Sequence, residues 1–169
     1  VALEILRDGK PLKVTIPLDH TWPFTLQANA YDESPRYVVF GGLVFQPVDA
    51  NFMSEHRPED LRLQHVFDQF VNQGFYKDRS EIVTLSGVLA DPVNAYAAPF
   101  RYQVVDTING EKITRIDDVD AAFAKPSDYY VIQMLGLGRP LVLERKAVES
   151  ARQRIQQRYR LTSEENLKK

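Results

Sequence analysis

Three observations predict an α+β fold for this chain. Gly9-Lys10-Pro11-Leu12 returns as Gly138-Arg139-Pro140-Leu141 at a constant offset of 129 residues, and each copy sits between two apolar runs. Other short apolar runs are separated by glycine or Asn-Gly turn signals, which is the pattern of antiparallel strands. Between them lie stretches whose apolar residues recur at helical spacing.

The elements follow in order. Residues 2–6 and 12–16 alternate as two strands around Arg7-Asp8-Gly9-Lys10, a polar turn in which glycine supplies positive φ. From Asp19 to Arg36 the alternation stops at Pro23 and Pro35, and Trp22, Phe24 and Tyr31 read as anchors of a connector. Tyr37-Val38-Val39-Phe40, Gly41-Gly42 and Leu43-Val44-Phe45 read as strand, glycine loop, strand. Pro58 to Gln73 is predicted as one helix, with Pro58 in its first turn, Glu59 and Asp60 at its positive end, and Gly74 as its stop. Leu63, Val66, Phe67, Phe70 and Val71 then share a face. Ile82 to Leu89 reads as a buried strand, and Tyr102 to Ile108 as another. Asn109-Gly110 turns the chain back along Lys112 to Arg115, since this dipeptide suits the two-residue hairpin turn. Asp117 is placed to cap a short helix carrying Val119, Ala122 and Phe123. The second hairpin follows, then an amphipathic helix from Arg145 to Arg160 on Ala147, Ala151 and Ile155, and a polar tail.

The first hairpin copy has almost nothing before it, whereas the second closes a full set of elements. This predicts residues 1–18 as the closing hairpin of a preceding module, 19–36 as linker, and 37–169 as a domain. The length of 169 residues suits that division. Hydrophobic content of 44% with 26% charge is globular, and 9 Phe and 8 Tyr can fill a core. The net charge of −2, from 21 basic and 23 acidic residues spread along the chain, leaves no basic face for nucleic acid. No apolar run is long enough to span a bilayer. With no cysteine there is neither disulfide nor thiolate chemistry. No cofactor is expected.

The pattern that points to function is a glycine loop before an apolar strand, with a short capped helix downstream. A loop of free backbone N–H groups can receive a terminal carboxylate, while the adjoining strand edge pairs with a peptide backbone. Phe40, Gly41 and Gly42 would form the loop, Leu43, Val44 and Phe45 the edge, and Val119 and Phe123 the wall for the ligand's apolar side chains. Glycine lets a ligand approach the backbone with no Cβ in the way. The competing reading of Gly41-Gly42 is an ordinary tight turn between two core strands. One edge and one pocket imply an affinity of about micromolar.

Three stretches resemble the C-terminal PDZ-like domain of Deg/HtrA-type serine proteases, especially the plant-like Deg branch. They are Pro35-Arg36-Tyr37-Val38-Val39-Phe40-Gly41-Gly42-Leu43-Val44-Phe45-Gln46-Pro47-Val48, Glu81 to Ala90 with Val93-Asn94, and Gln103-Val104-Val105-Asp106-Thr107-Ile108-Asn109-Gly110. Leu141-Val142-Leu143 and the helix with Ala151 and Ile155 are similar to the family's final strand and last helix. Residues 2–16 resemble the closing hairpin of the first PDZ domain. The resemblance implies a PDZ-like, partly open β-barrel or sandwich with a groove helix, an inserted helix and a C-terminal helix. It also implies peptide or unfolded-protein partners, an upstream trypsin-like protease domain, homo-oligomers, a place in protein quality control, and a periplasmic or organelle-lumen setting. The chain departs from the pattern at Ala95-Tyr96-Ala97-Ala98-Pro99, in the doubled glycine, and in the long stretch from Asp49 to Ser80.

Catalysis within the chain itself is not expected. A serine protease needs Ser, His and Asp to converge beside an oxyanion hole. The only histidines are His20, His56 and His65, and Ser86 lies in an apolar strand, where a satisfied core hydroxyl is expected. The nine-residue spacing of His56 and His65 suits no metal site. Asp117, Asp118 and Asp120 at a helix start are explained by capping and the dipole. Three functions remain: recognition of extended peptides or C-termini with regulation of the protease, an oligomerisation module whose groove is filled by an internal segment, or a stand-alone scaffold.

Overall fold

The computed structural model describes residues 2–16, Leu26 and 33–168. Trp22, Pro23, Phe24, Tyr31 and His20, to which the connector reading assigned anchors and a histidine, lie outside the described residues. The fold is α+β, with four α-helices and three antiparallel sheets among the described residues, and no sheet closes into a barrel. Strands β1 (Ala2–Arg7) and β2 (Lys10–Thr15) form the first hairpin, closed by Asp8 and Gly9 at φ 53° and 75°. A second sheet has the order β10-β3-β4-β5, built from β3 (Tyr37–Phe40), β4 (Leu43–Val48), β5 (Ile82–Val88) and the two-residue β10 (Glu165–Asn166). The third has the order β7-β6-β8-β9, from β6 (Val105–Ile108), β7 (Glu111–Lys112), β8 (Tyr129–Met134) and β9 (Leu141–Glu144).

The helix predicted over Pro58–Gln73 is shorter, Leu61–Gln69, and a helix that was not predicted precedes Pro58. Helix α1 (Ala50–His56) is capped by Asp49, whose carboxylate accepts from the Phe52 N–H, and Arg57 ends it in the left-handed region at φ 43°. Helix α2 (Leu61–Gln69) starts only after Asp60, which accepts from the N–H groups of Arg62 and Leu63. Pro58 therefore separates two helices, since the residue before a proline is driven out of the helical region. Leu63, Val66 and Phe70 are buried as expected, but Val71 lies past the helix end and is exposed. With Leu26, Val48, Phe52, Ile82 and Val104 they form a second apolar cluster beneath the inserted helices.

The main core lies between the two four-stranded sheets. It takes Leu43, Phe45 and Leu85 from one, Ile108, Ile132, Met134, Leu141 and Leu143 from the other, and Val119 and Phe123 from helix α3 (Ile116–Ala124). Helix α3 begins before the predicted Asp117 cap. The Asp118 carboxylate turns back to accept from the Thr114 and Arg115 N–H groups at 2.8 and 3.1 Å, and Glu81 accepts from the Ile116 N–H at 2.9 Å. Arg36 pairs with the same Glu81. The final helix, α4 (Arg145–Tyr159), buries Val148, Ala151 and Ile155, and Arg160 closes it at φ 53°. The segment after α4, read as a polar tail, folds back and adds β10 to the outer edge of β3.

Candidate functional site

Gly41 and Gly42 form the two-residue turn of the β3–β4 hairpin, with Phe40 opposite Leu43. Both glycines have positive φ, 56° and 79°, as a turn of type I′ requires. The turn's carbonyls are already engaged. Gly42 accepts from the Leu89 N–H at 2.7 Å, and Gly41 accepts from the Asn94 side-chain amide at 2.8 Å. Asn94 is held in turn, because its amide also donates to the Leu89 carbonyl at 2.9 Å and its oxygen accepts from the Asp91 N–H at 3.0 Å. Leu143, Val148 and Ile155 crowd the glycines from the core side.

The expectation of an unpaired edge at Leu43, Val44 and Phe45 is corrected by the sheet order. β4 pairs with β3 on one side and with β5 on the other, so its backbone has no free edge. Leu43 and Phe45 are fully buried core residues, whereas Val44 points to the opposite face, across from Val39 and Gly87. The helix expected to supply a wall lies on the inner face of this sheet. Helix α3 packs across β3 and β4 and presents buried Val119 and Phe123. What lies against that wall is β3 itself. The Phe40 ring stacks on Phe123 with centroids 4.0 Å apart and planes 4° from parallel, and Tyr130 meets Phe40 edge-on at 4.7 Å. The strand-period alternation of Tyr130, Ile132 and Met134 in β8 was the signal that would have placed Tyr130 in this cluster.

Other singled-out residues are explained by structure. The Ser86 hydroxyl donates to the Val44 carbonyl at 3.2 Å inside the sheet. His65 meets the Gln73 amide at 3.5 Å, and His56 stacks on Phe52. No group of three metal-binding side chains occurs, and no helix is long and apolar enough to cross a membrane, among the described residues.

One ion pair fastens α4 to the loop that holds the glycine turn. Arg154 donates to both Asp91 oxygens at 2.7 Å, and the Asp91 side chain is only 1% exposed. The Arg154 hydrogen bonds hold the Asp91 carboxyl below the usual carboxylate range, despite the opposing cost of burial. A carboxyl whose pKa falls on folding contributes stability above its unfolded pKa and loses it as the pH drops through the lowered folded value. Thermal unfolding of the wild type should therefore fall below pH ~4 more steeply than that of Asp91→Asn, given the reference carboxylate values. Parallel profiles for the two proteins would remove this link.

A family model described as PDZ domain matches residues 26–166. The chain is 26% identical over 161 residues to "Putative protease Do-like 13" of Arabidopsis thaliana, a match covering 95% of this chain and 29% of that protein. It is 25% identical over 116 residues to "Putative protease Do-like 12, mitochondrial" of the same plant, covering 69% of this chain and 20% of that one. The chain thus spans less than a third of the length of these relatives.

Proposed function

Because this chain belongs to the PDZ domain family, a fold that serves peptide interaction without catalysing reactions, we propose that it is the regulatory and assembly module of a Deg/HtrA-type serine protease, with its groove occupied by its own strand β3. One observation carries this reading. β3 lies antiparallel to β4 and against α3, where a strand-adding peptide would lie, and it ends with Phe40 stacked on Phe123. Phe40 takes the place of a ligand's terminal residue, and the peptide bond into Gly41 takes the place of its carboxylate. The names of the two relatives support a protease parent, for which the module would bind peptide or unfolded-protein segments, or neighbouring subunits, at surfaces other than this filled groove.

The first hairpin fits the same reading. At the 129-residue offset, Leu3, Ile5, Leu12 and Val14 correspond to Ile132, Met134, Leu141 and Leu143. The second set is buried to 1% exposure or less, whereas Leu3, Ile5 and Leu12 are 40–43% exposed. The two hairpins pair two residues apart in register, and two is the side-chain period of a strand, so the apolar face is kept. We infer that this face belongs to the core of a preceding PDZ domain.

The reading predicts that a labelled peptide with an apolar C-terminus does not bind the wild-type chain between β4 and α3. Fluorescence anisotropy should show dissociation constants weaker than about 1 mM at that site, well short of the micromolar range an open groove of this size would give. Micromolar binding that shifts the Gly42 and Leu43 amide resonances would overturn the occupied-groove reading.

A further inference from the structure

With β3 inside the groove, the edge that can receive another chain moves outward by one strand, and segment 163–168 covers that edge with a strand of two residues. β10 pairs just two residues with β3, Glu165 opposite Val38 and Asn166 opposite Tyr37, and Val39 N–H donates to the Glu164 carbonyl at 2.6 Å. Its other ties are Asn166 to the Pro35 carbonyl at 2.9 Å, the Tyr37 hydroxyl to the Ser163 carbonyl at 3.4 Å, Arg152 and Gln156 to the Glu164 carboxylate, and the half-buried Leu167. The Arg152 guanidinium meets both Glu164 oxygens, so these ties gather at Glu164, while Glu165 and Asn166 carry the strand pairing.

At Glu165 the segment carries the wrong charge for its seat. The Glu165 carboxyl meets Asp120 of α3, and this second carboxylate pushes the Glu165 pKa up. Asp117 lies one turn away on the same helix, where its cations are Arg36 and Arg115, both at 3.9 Å. Among the described residues Asp120 has no basic partner. Two like charges held together oppose docking at neutral pH, and a basic side chain in the same position would turn repulsion into attraction.

We infer that the outer edge of β3 is a docking site for an extended polypeptide that displaces β10 and places a lysine or arginine against Asp120. Backbone pairing to Tyr37 and Val39 gives the affinity, and Asp120 gives the choice of side chain, the division of labour expected when a strand is added to a sheet edge. The site rests on the reading that β3 fills the groove, because otherwise an incoming peptide would add between β4 and α3.

Two synthetic peptides of residues 161–168 test this, one unchanged and one with lysine replacing Glu165. Titrated into the full chain, the lysine peptide should bind at least tenfold tighter and shift the Val39 amide resonance. The preference should vanish with Asp120→Asn, a substitution on a half-buried helix face. Placing E165K in the chain itself should weaken the lysine peptide at least tenfold, because the chain's own strand then holds the site. Equal binding of the two peptides, a preference that survives Asp120→Asn, or an unmoved Val39 would each overturn the inference. Failure of the occupied groove would instead appear at Gly42 and Leu43, so the two outcomes are distinguishable.

Discussion

Gly42→Ala is expected to destabilise the domain by roughly 3 kcal/mol or more, since left-handed strain and a backbone clash add together. A Cβ on Gly42 would stand 2.5 Å from the Asn94 amide nitrogen and 2.7 Å from the Leu89 carbonyl oxygen, with φ at +79°. Neither neighbour can withdraw cheaply. Leu89 is backbone, and Asn94 is tied to the Gly41 and Leu89 carbonyls and to the Asp91 N–H. Gly41→Ala is the internal control. Its Cβ would meet the flexible ends of Leu143 and Val148 at 3.1 and 3.2 Å, so about half the loss is expected, mostly from the φ strain of a non-glycine residue. Urea unfolding of the two variants decides the matter. A Gly42→Ala loss below about 1 kcal/mol, or one smaller than that of Gly41→Ala, would contradict the packing of this turn against segment 89–94.

That distinction bears on what a sequence can reveal. Asn109-Gly110, Asp8-Gly9 and Gly41-Gly42 were legible as turns because positive φ is a local demand met by a few residue types. The same letters did not say what would occupy the space around the turn. Leu43-Val44-Phe45 reads alike as an edge strand or a central one, because strand neighbours are set by non-local pairing. Filling of the groove by an internal segment was therefore one reading among three, and no local pattern named the segment. The burial of Val119 and Phe123 on one face of α3 was legible from helical spacing, and the fold class from the alternation of hairpins with amphipathic stretches.

Other parts were hidden for identifiable reasons. Helix α1 buries only Phe52 fully, so it has no apolar stripe, and its start is marked chiefly by the Asp49 cap. β10 consists of Glu165 and Asn166, residues with weak strand preference, and exists through its pairing with β3 and the seat of Leu167. The polar ties that fix the site, Asn94 to Gly41 and Asp91 to Arg154, join residues 53 and 63 positions apart. No local pattern announces such pairs.

Phe40→Ala should have the second large effect, and it tests the functional reading directly. Truncating a core phenylalanine typically costs about 3–5 kcal/mol, and Phe40 is half-buried, so a loss of about 2–3 kcal/mol is expected. Part of this is the stack on Phe123 and the edge contact with Tyr130, geometries that add about 0.5–1.5 kcal/mol beyond burial. The consequence for binding is more diagnostic than the loss itself. If the Phe40 ring fills a ligand position, its removal leaves a slot walled by Phe123 and Tyr130 and matched to an aromatic ring. Apolar slots of this kind take up small aromatic molecules when emptied. Toluene should therefore raise the melting temperature of Phe40→Ala while leaving the wild type unchanged, because a ligand of the folded state alone shifts the equilibrium by mass action. Phe123→Ala is the companion variant. It empties a more deeply buried position, so it should lose about 3–5 kcal/mol, more than Phe40→Ala. A Phe40→Ala protein as stable as the wild type would mean the ring fills nothing, and the occupied-groove reading would fall. A destabilised variant indifferent to toluene would show instead that the wall collapses into the gap, leaving Phe40 as an ordinary core residue rather than a built-in ligand.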